Sequence, residues 1–253
     1  MDIIDDIRKS GAYGNAFFRH CRDSAWMVTK RDNLIPFAKN WNVVTRKFWH
    51  ATCGLVGVLG AQGDDELLPA ILKIAAEDGG LSGGAVNGIF GPPHHKLFQQ
   101  MFWEREVVWF EEPYYKAPLE KETDRLISTF SGVHARTLIS RTLGNDPLIE
   151  GLATVIVVET IALEIIKAME GLFLTGPSFP SESPSRPYKW YPNSGYLDLH
   201  SSLEVEHARE MGEVSEIVLG RGDFNHDKLR RSVDWSVTHW ARFWRAMDRI
   251  TYG

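Results

Sequence analysis

The 253-residue sequence predicts an all-α protein, with a single domain over residues 1–253 that contains seven or eight helices. Apolar residues recur at spacings of three and four through most of the chain, which is the period of an amphipathic helix. No run of alternating apolar and polar residues marks a strand, and no internal repeat is present. A hydrophobic content of 43% is enough for a chain of this length to bury a core.

The first half of the chain contains four predicted helices. They cover residues 13–30, 42–60, 64–77 and 94–103. Asp64 and Asp65 cap the third helix, and the sequence Asp-Gly-Gly at 78–80 ends it. The glycine-rich stretch that follows, residues 81–91, lacks the glycine spacing of a nucleotide-binding loop.

The second half contains four longer predicted helices. They cover residues 118–143, residues 146–174, a segment around His200, and residues 226–250. Asn145 or Asp146 caps the helix that begins at 146. Residues 175–194 are rich in proline and serine, which predicts a long loop. Such a loop is either a lid over a binding pocket or a surface connector.

Composition argues against several classes of function. The net charge is −5 and no run of Lys or Arg is present, so nucleic acid is not an expected partner. The longest apolar stretch, residues 148–174, carries five charged side chains, which indicates a buried helix rather than a membrane span. Cys21 and Cys53 cannot form a disulfide framework, and the acidic N-terminus lacks the apolar segment of a signal peptide. We therefore expect a cytoplasmic protein with reduced thiols.

The most informative motif is His-x3-Glu-x2-His, formed by His200, Glu204 and His207. On a helix, Glu204 lies about 40° to one side of His200 and His207 lies about 20° to the other side, so the three side chains share one face. Converging imidazole and carboxylate groups are typical ligands of first-row transition metals. A solvated helix face that happens to carry two histidines is the alternative interpretation.

A second candidate is Glu159, which lies inside an apolar run at residues 155–163. A buried carboxylate without a partner is costly. We therefore expect Glu159 to bind a cation or to have a shifted pKa, unless it pairs with an Arg or Lys in the core. Glu164 is about 140° further around the same helix and cannot share the site.

Four stretches together resemble the heme-oxygenase-like di-iron oxidases, which are relatives of the TenA and PqqC folds. The matching stretches are Ala76-Glu77-Asp78-Gly79 at a helix end, His94-His95-Lys96-Leu97-Phe98 at a helix start, Glu159 in mid-helix, and His200, Glu204, His207 and Ala208 in the final motif. The resemblance extends from about residue 40 to about residue 250. The spacing from Glu77 to His94 is longer than in the family, so His95 is an alternative to His94.

The resemblance implies a heme-oxygenase-like helical bundle that binds no heme. It implies two Fe(II) ions, with O2 as cosubstrate, and it places Glu159 and Glu204 at the catalytic centre. The implied metal ligands are Glu77, His94, Glu159, His200, Glu204 and His207. The implied activity is that of an oxygenase or oxidase in a biosynthetic pathway. It would act on a small amino-acid-like or carboxylic-acid substrate by N-oxygenation or oxidative C–C cleavage. The resemblance leaves open whether the protein uses an external electron donor and whether it forms a homodimer.

Two other functions are compatible with parts of the sequence. A cofactor-free oxidase similar to PqqC would use histidines as general bases, but it would not need Glu159 and Glu204 at the same centre. A helical protein that binds iron without turnover would need the ligands but no lid over a pocket. Neither Cys21 nor Cys53 lies in a stretch similar to the nucleophile motif of TenA-type hydrolases, so thiaminase chemistry is not expected.

Overall fold

The computed structural model describes the backbone of residues 2–24, 33–82, 89–103, 116–139, 146–174 and 195–253. These residues form nine helices and one two-stranded antiparallel ladder. The helices are α1 (Ile3–Arg8), α2 (Ala16–Asp23), α3 (Leu34–Gln62), α4 (Leu68–Asp78), α5 (His94–Trp103), α6 (Lys121–Ile139), α7 (Asp146–Leu174), α8 (Gly195–Gly220) and α9 (His226–Tyr252). The ladder pairs β1 (Leu81–Ser82) with β2 (Ile89–Phe90). The prediction of an all-α fold is confirmed.

Two differences from the prediction lie near the N-terminus. Helix α1 was not predicted, because six residues are too few to show a helical period. The side chain of Asp2 caps it by accepting a hydrogen bond of 3.0 Å from the backbone N–H of Asp5. Helix α3 begins at Leu34 rather than at residue 42. Pro36 lies in its first turn, where a missing N–H costs no helical hydrogen bond.

The β1–β2 ladder lies in the glycine-rich stretch and positions two helix ends. Gly80 has a φ of 100°, a conformation that favours glycine. The N–H of Gly91 donates to the carbonyl oxygen of Gly80 at 2.7 Å, and a Cβ on Gly80 would overlap Gly91. The end of α4 and the start of α5 are thereby held side by side. Residues 83–88 and the predicted loop at 175–194 lie outside the described residues.

Helix α7 is the central element of the bundle. Every side chain from Leu148 to Ala162 is buried except that of Glu150, and the helix contacts α1, α2, α3, α6, α8 and α9. A helix that is apolar on all sides is normally enclosed by others. Within the described part of the chain, no helix is both long enough and apolar enough to cross a bilayer.

An aromatic cluster joins α2, α3 and α9 at one side of this helix. Trp244 stacks on Phe17 with ring centroids 5.6 Å apart and on Trp240 at the same distance. Trp41 lies 5.5 Å from Trp244. Offset aromatic packing of this kind adds to the burial of apolar area. The cluster fixes the position of α3 beside α7, and both helices line the site described next.

Candidate metal centre

Helix α8 carries the His-x3-Glu-x2-His motif on its buried face. His200, Glu204 and His207 are at most 6% exposed, whereas Val205 is 59% exposed. The prediction that the three side chains share one face is confirmed. Because α8 packs against α7, the motif lies next to Glu159, which is 4% exposed.

The potential ligands form two adjoining groups. The carboxylate-rich group consists of Glu159, Glu204 and His207. The imidazole-rich group consists of Asp78, His94 and His200. Within each group, one ligand atom from each residue lies within 4.8 Å of the others. Six side chains from helices α4, α5, α7 and α8 therefore meet in one buried region.

In the carboxylate-rich group, the imidazole of His207 lies between carboxylates. Its Nδ1 is 3.1 Å from Oε2 of Glu159 and 3.7 Å from Oε2 of Glu204. Its Nε2 is 2.6 Å from Oε2 of Glu77, at the end of α4. Both ring nitrogens face carboxylate oxygens, an arrangement in which an imidazolium with a proton on each nitrogen can donate to both sides.

These contacts reverse the usual effect of burial on a histidine. Burial lowers the pKa of His207, but the carboxylates of Glu159, Glu204 and Glu77 raise it well above its ordinary value. Burial raises the pKa of Glu159 to about 8; the contact with His207 opposes this rise and the charge of Glu204 adds to it. The described partner of Glu159 is thus His207. The alternative prediction, a core Arg or Lys beside Glu159, is not what these residues show.

In the imidazole-rich group, His94 and Asp78 face each other across the ends of α5 and α4. Nδ1 of His94 lies 2.9 Å from Oδ1 of Asp78 but makes no hydrogen bond of acceptable geometry to any described residue. The rings of His94 and His200 meet edge to face, with centroids 4.3 Å apart. Burial raises the pKa of Asp78, but His94 and then His207 and His200 lower it below its ordinary value.

Tyr196 lies one turn before His200 and fixes the orientation of its ring. The carbonyl oxygen of Tyr196 accepts a hydrogen bond of 2.7 Å from Nδ1 of His200, and the two rings pack with centroids 4.1 Å apart. The Tyr196 hydroxyl accepts a hydrogen bond of 3.3 Å from Nε1 of Trp41. Because Nδ1 of His200 donates, its Nε2 keeps a lone pair for a cation. Burial and the charge of His94 lower the pKa of His200 to about 4, so the ring is neutral at pH 7.

Glu204 lies between the two groups. Its Oε1 is 4.0 Å from Nε2 of His200, and its Oε2 is 3.7 Å from Nδ1 of His207. Oε2 of Glu204 and Nδ1 of His94 are buried atoms without a hydrogen-bond partner among the described residues. Buried polar atoms normally have a partner. One cation in each group would supply it, and donors of this kind, imidazole and carboxylate without thiolate, suit several divalent first-row metals.

The sequence-predicted residues all lie in this region. In the imidazole-rich group, however, the carboxylate comes from Asp78 and not from the predicted Glu77. Glu77 contacts His207, while its neighbour Asp78, which sequence reasoning passed over, joins His94 and His200. His94 is the member of the His94–His95 pair that reaches the group. His95 instead stacks on Trp49, with centroids 5.7 Å apart. Whether these residues bind metal stays a prediction.

Asp78 and Tyr196 could have been noticed in the sequence. Asp78 is the last residue of α4 and directly follows Glu77. Tyr196 precedes His200 by four residues, so helical periodicity places it on the motif's face. Neither signal identifies a partner, because both contacts depend on how separate helices pack.

Comparisons with known proteins support the fold. No protein-family model matches the chain, and no curated protein matches its sequence. Among solved structures, the chain is similar to the crystal structure of a CADD-like protein of unknown function from Nostoc punctiforme. The TM-score is 0.65 at 10% sequence identity, covering 99% of this chain and 96% of that chain. This likeness establishes that the two chains share a helical fold over nearly their full lengths.

Proposed function

We propose that the protein is a non-heme di-iron oxidase or oxygenase that uses O2 to oxidise a small amino-acid-like or carboxylic-acid molecule. The observation that carries this proposal is the pair of adjoining buried groups, each with three ligand-type side chains. A single four-coordinate ion would not use six such side chains. The resemblance of the motifs to heme-oxygenase-like di-iron oxidases supports iron as the metal.

Asp78, His94 and His200 would hold one ion, and Glu159, Glu204 and His207 the other, with Glu77 beside the second. Two bound Fe(II) ions supply the electrons and the open coordination positions for reaction with O2. His207 has to release a proton before it can ligate. Its proton is held by Glu159, Glu204 and Glu77, and these carboxylates then offset the charge of the metal.

Other groups of the chain prepare the site for this chemistry. The Tyr196 carbonyl oxygen keeps Nδ1 of His200 protonated, which leaves Nε2 free for a metal. Aromatic and aliphatic side chains form the remaining walls of a pocket that borders both groups. Such walls keep water away from a reactive centre and hold a substrate in place. A pocket beside the ligands favours turnover over iron storage.

The test is an anaerobic Fe(II) titration followed by exposure to O2. We expect uptake to approach two irons per chain, one for each group. The substitutions His200→Ala and His207→Ala should each reduce it, whereas His239→Ala, at a half-buried histidine of α9 outside both groups, should not. A plateau at one iron in the wild-type protein, without a weaker second site, would contradict the dinuclear proposal.

The second half of the experiment separates the enzyme from its alternatives. Screening small amino and carboxylic acids should identify a compound that accelerates O2 consumption by the iron-loaded protein. O2 consumption by the metal-free protein would favour a cofactor-free oxidase. Iron uptake without any compound-dependent O2 consumption would favour an iron-binding protein without turnover.

A further inference from the structure

The pocket beside the two ligand groups has a strongly apolar interior. The pocket is partly open to solvent, and its cavity volume is about 60 Å³. Asp78, His94, Glu159, His200 and Glu204 line one end. Most of the remaining wall is aromatic or aliphatic, as shown by Trp41, Phe48, Trp49, Val158, Ile165 and Trp240.

The described lining contains no lysine or arginine. Lys96 and Arg46 act electrostatically on His95, but both side chains are exposed and neither lines the pocket. Outside the ligand groups, the described wall therefore offers no charged partner to a bound molecule. A second charge on a substrate would be buried against hydrocarbon, which is unfavourable without a partner.

Two buried ring nitrogens in this wall are unpaired among the described residues. His95 is 8% exposed, and its Nδ1 has no hydrogen-bond partner among the described residues. Trp240 is 1% exposed, and its Nε1 is likewise unpaired among them. Other polar groups of the wall have partners: Thr45 donates to the carbonyl oxygen of Asn42 at 3.1 Å, and the Tyr196 hydroxyl accepts from Nε1 of Trp41 at 3.3 Å. Unpaired buried polar atoms in a pocket wall indicate where a ligand forms hydrogen bonds.

We infer that the substrate has one polar head that faces the ligand groups, an apolar body, and no second charge. We further infer that His95 sets specificity by hydrogen bonding to an uncharged polar group on that body. The inference rests on the proposed function, because the head is bound by metal held in the two groups. It favours molecules such as hydroxylated or unsubstituted carboxylic acids over substrates with a charged side chain.

The test uses the full-length protein loaded with Zn(II), a redox-inert ion. Binding of hexanoate, 6-hydroxyhexanoate and 6-aminohexanoate is measured by calorimetry and by the fluorescence of the pocket tryptophans. The three probes share a head and a chain and differ only at the far end. We expect hexanoate and 6-hydroxyhexanoate to bind and 6-aminohexanoate to bind at least about tenfold more weakly. Equal binding of 6-aminohexanoate, or no binding by any probe, would overturn the inference.

The role of His95 is tested with a matched pair of variants. His95→Phe keeps the ring that stacks on Trp49 but removes the hydrogen-bonding nitrogen. This substitution should weaken the binding of 6-hydroxyhexanoate about three- to tenfold and leave the affinity for hexanoate unchanged. His50→Phe is the control, since His50 also packs on Trp49, at 5.4 Å, but does not line the pocket. Equal effects of both variants on both probes would remove His95 from substrate binding.

A metal-independent experiment tests the apolar pocket separately from the proposed metal centre. Hexan-1-ol has no charged head, so it should bind the pocket in the metal-free protein as well. If the protein takes up no metal but binds hexan-1-ol, the proposed function fails while the apolar pocket stands. If the protein takes up two metals but binds neither hexan-1-ol nor hexanoate, the pocket inference fails while the metal centre stands.

Discussion

The two ligand groups lie side by side, yet they hold charge in opposite ways. In the carboxylate-rich group, His207 is protonated and its two ring nitrogens face Glu159 and Glu77. In the imidazole-rich group, His200 is neutral and the lone pair is on Nε2, because Nδ1–H donates to the carbonyl oxygen of Tyr196. The first group balances its carboxylates with protons, whereas the second offers a neutral imidazole that could ligate a cation directly. The groups should therefore differ in how metal binding depends on pH and in what each contributes to the metal-free fold.

The largest effect should come from neutralising Glu159. Glu159→Gln keeps the size of the side chain but removes a ligand charge, so we expect O2-dependent turnover of the iron-loaded enzyme to fall at least about 100-fold. The all-α circular dichroism spectrum should be unchanged. The measurement is O2 consumption together with the iron content of the titrated protein.

Glu164→Gln is the matched control for Glu159→Gln. Glu164 is on the same helix but pairs with Arg22 at 2.5 Å and Lys167 at 3.0 Å, away from the ligand groups. Its substitution should leave turnover within about twofold of the wild type. Full O2 reactivity in Glu159→Gln would exclude that residue from the metal centre.

The next effect concerns stability and compares the two histidines of α8. His207→Ala removes the cation that neutralises Glu159, Glu204 and Glu77, and it leaves buried carboxylates without a partner. His200→Ala leaves a similar cavity but removes no charge. We expect the metal-free His207→Ala protein to be less stable than His200→Ala by at least about 2 kcal/mol at pH 7. Urea unfolding checks this value, and the difference should shrink at pH 5, where the carboxylates bind protons. Equal losses at pH 7 would mean that His207 is not the charge partner.

Long helices could be predicted from the sequence, whereas some of their ends could not. The start of α7 at Asp146 and of α9 at His226 agrees with capping residues and a continuous apolar pattern. The start of α3 was missed, because Pro36 suggests a break although it lies in a tolerated first-turn position. The ladder at 81–82 and 89–90 has two residues in each strand, too few for an alternating pattern.

The site could be predicted where its geometry is local to one helix. The spacing of His200, Glu204 and His207 fixes their shared face before any packing is known. Glu159 was identified because a carboxylate in an apolar run needs a partner. The different positions of Glu77 and Asp78 could not be foreseen. Adjacent residues point about 100° apart, and only the packing of α4 against α5 and α8 decides which group each one reaches.

The stability of the metal-free protein should depend on pH in opposite directions for the two ligand groups. The pKa values of His200 and His95 are lowered to about 4, mainly by burial. The unfolded chain then binds more protons on acidification, so stability should fall as the pH drops from 6.5 toward 4. Glu159 and His207 have raised pKa values. Glu159 holds a proton that the unfolded chain loses above about pH 4.5, and His207 holds one that the unfolded chain loses above about pH 6.5. Glu159 therefore opposes part of the slope below pH 6.5, and both contributions should decline as the pH rises from 6.5 to 8.

The expected result is a maximum of stability near pH 6.5. Each extra proton held by the folded state over that alkaline interval corresponds to a loss on the order of 2 kcal/mol. Urea unfolding at intervals from pH 5 to 8 measures both slopes. Glu159→Gln should reduce the alkaline slope, since one of the two titrating groups is gone while His207 remains. Stability of the metal-free wild type that rises steadily to pH 8 would contradict the protonated state of the carboxylate-rich group.

The smallest effect is expected on the outer face of the same helices, where charges meet in water. Nζ of Lys73 on α4 is 2.7 Å from Oε1 of Glu206 and 2.6 Å from Oε1 of Glu210 on α8. Lys73→Gln removes both ion pairs, but solvent and salt screen exposed pairs. We expect the melting temperature to fall by no more than about 2 °C, and the difference from wild type to vanish at high salt.

Lys167→Gln provides the control for this substitution, because Lys167 pairs with Glu164 within one helix and links no neighbouring elements. Both variants should take up Fe(II) as the wild type does, since neither residue contacts the ligand groups. A tenfold loss of iron affinity in Lys73→Gln alone would mean that the surface pairs hold Glu77 and Asp78 against α8. In that case the surface ion pairs of Lys73 would contribute to metal affinity by holding the ligands of α4 and α8 in place.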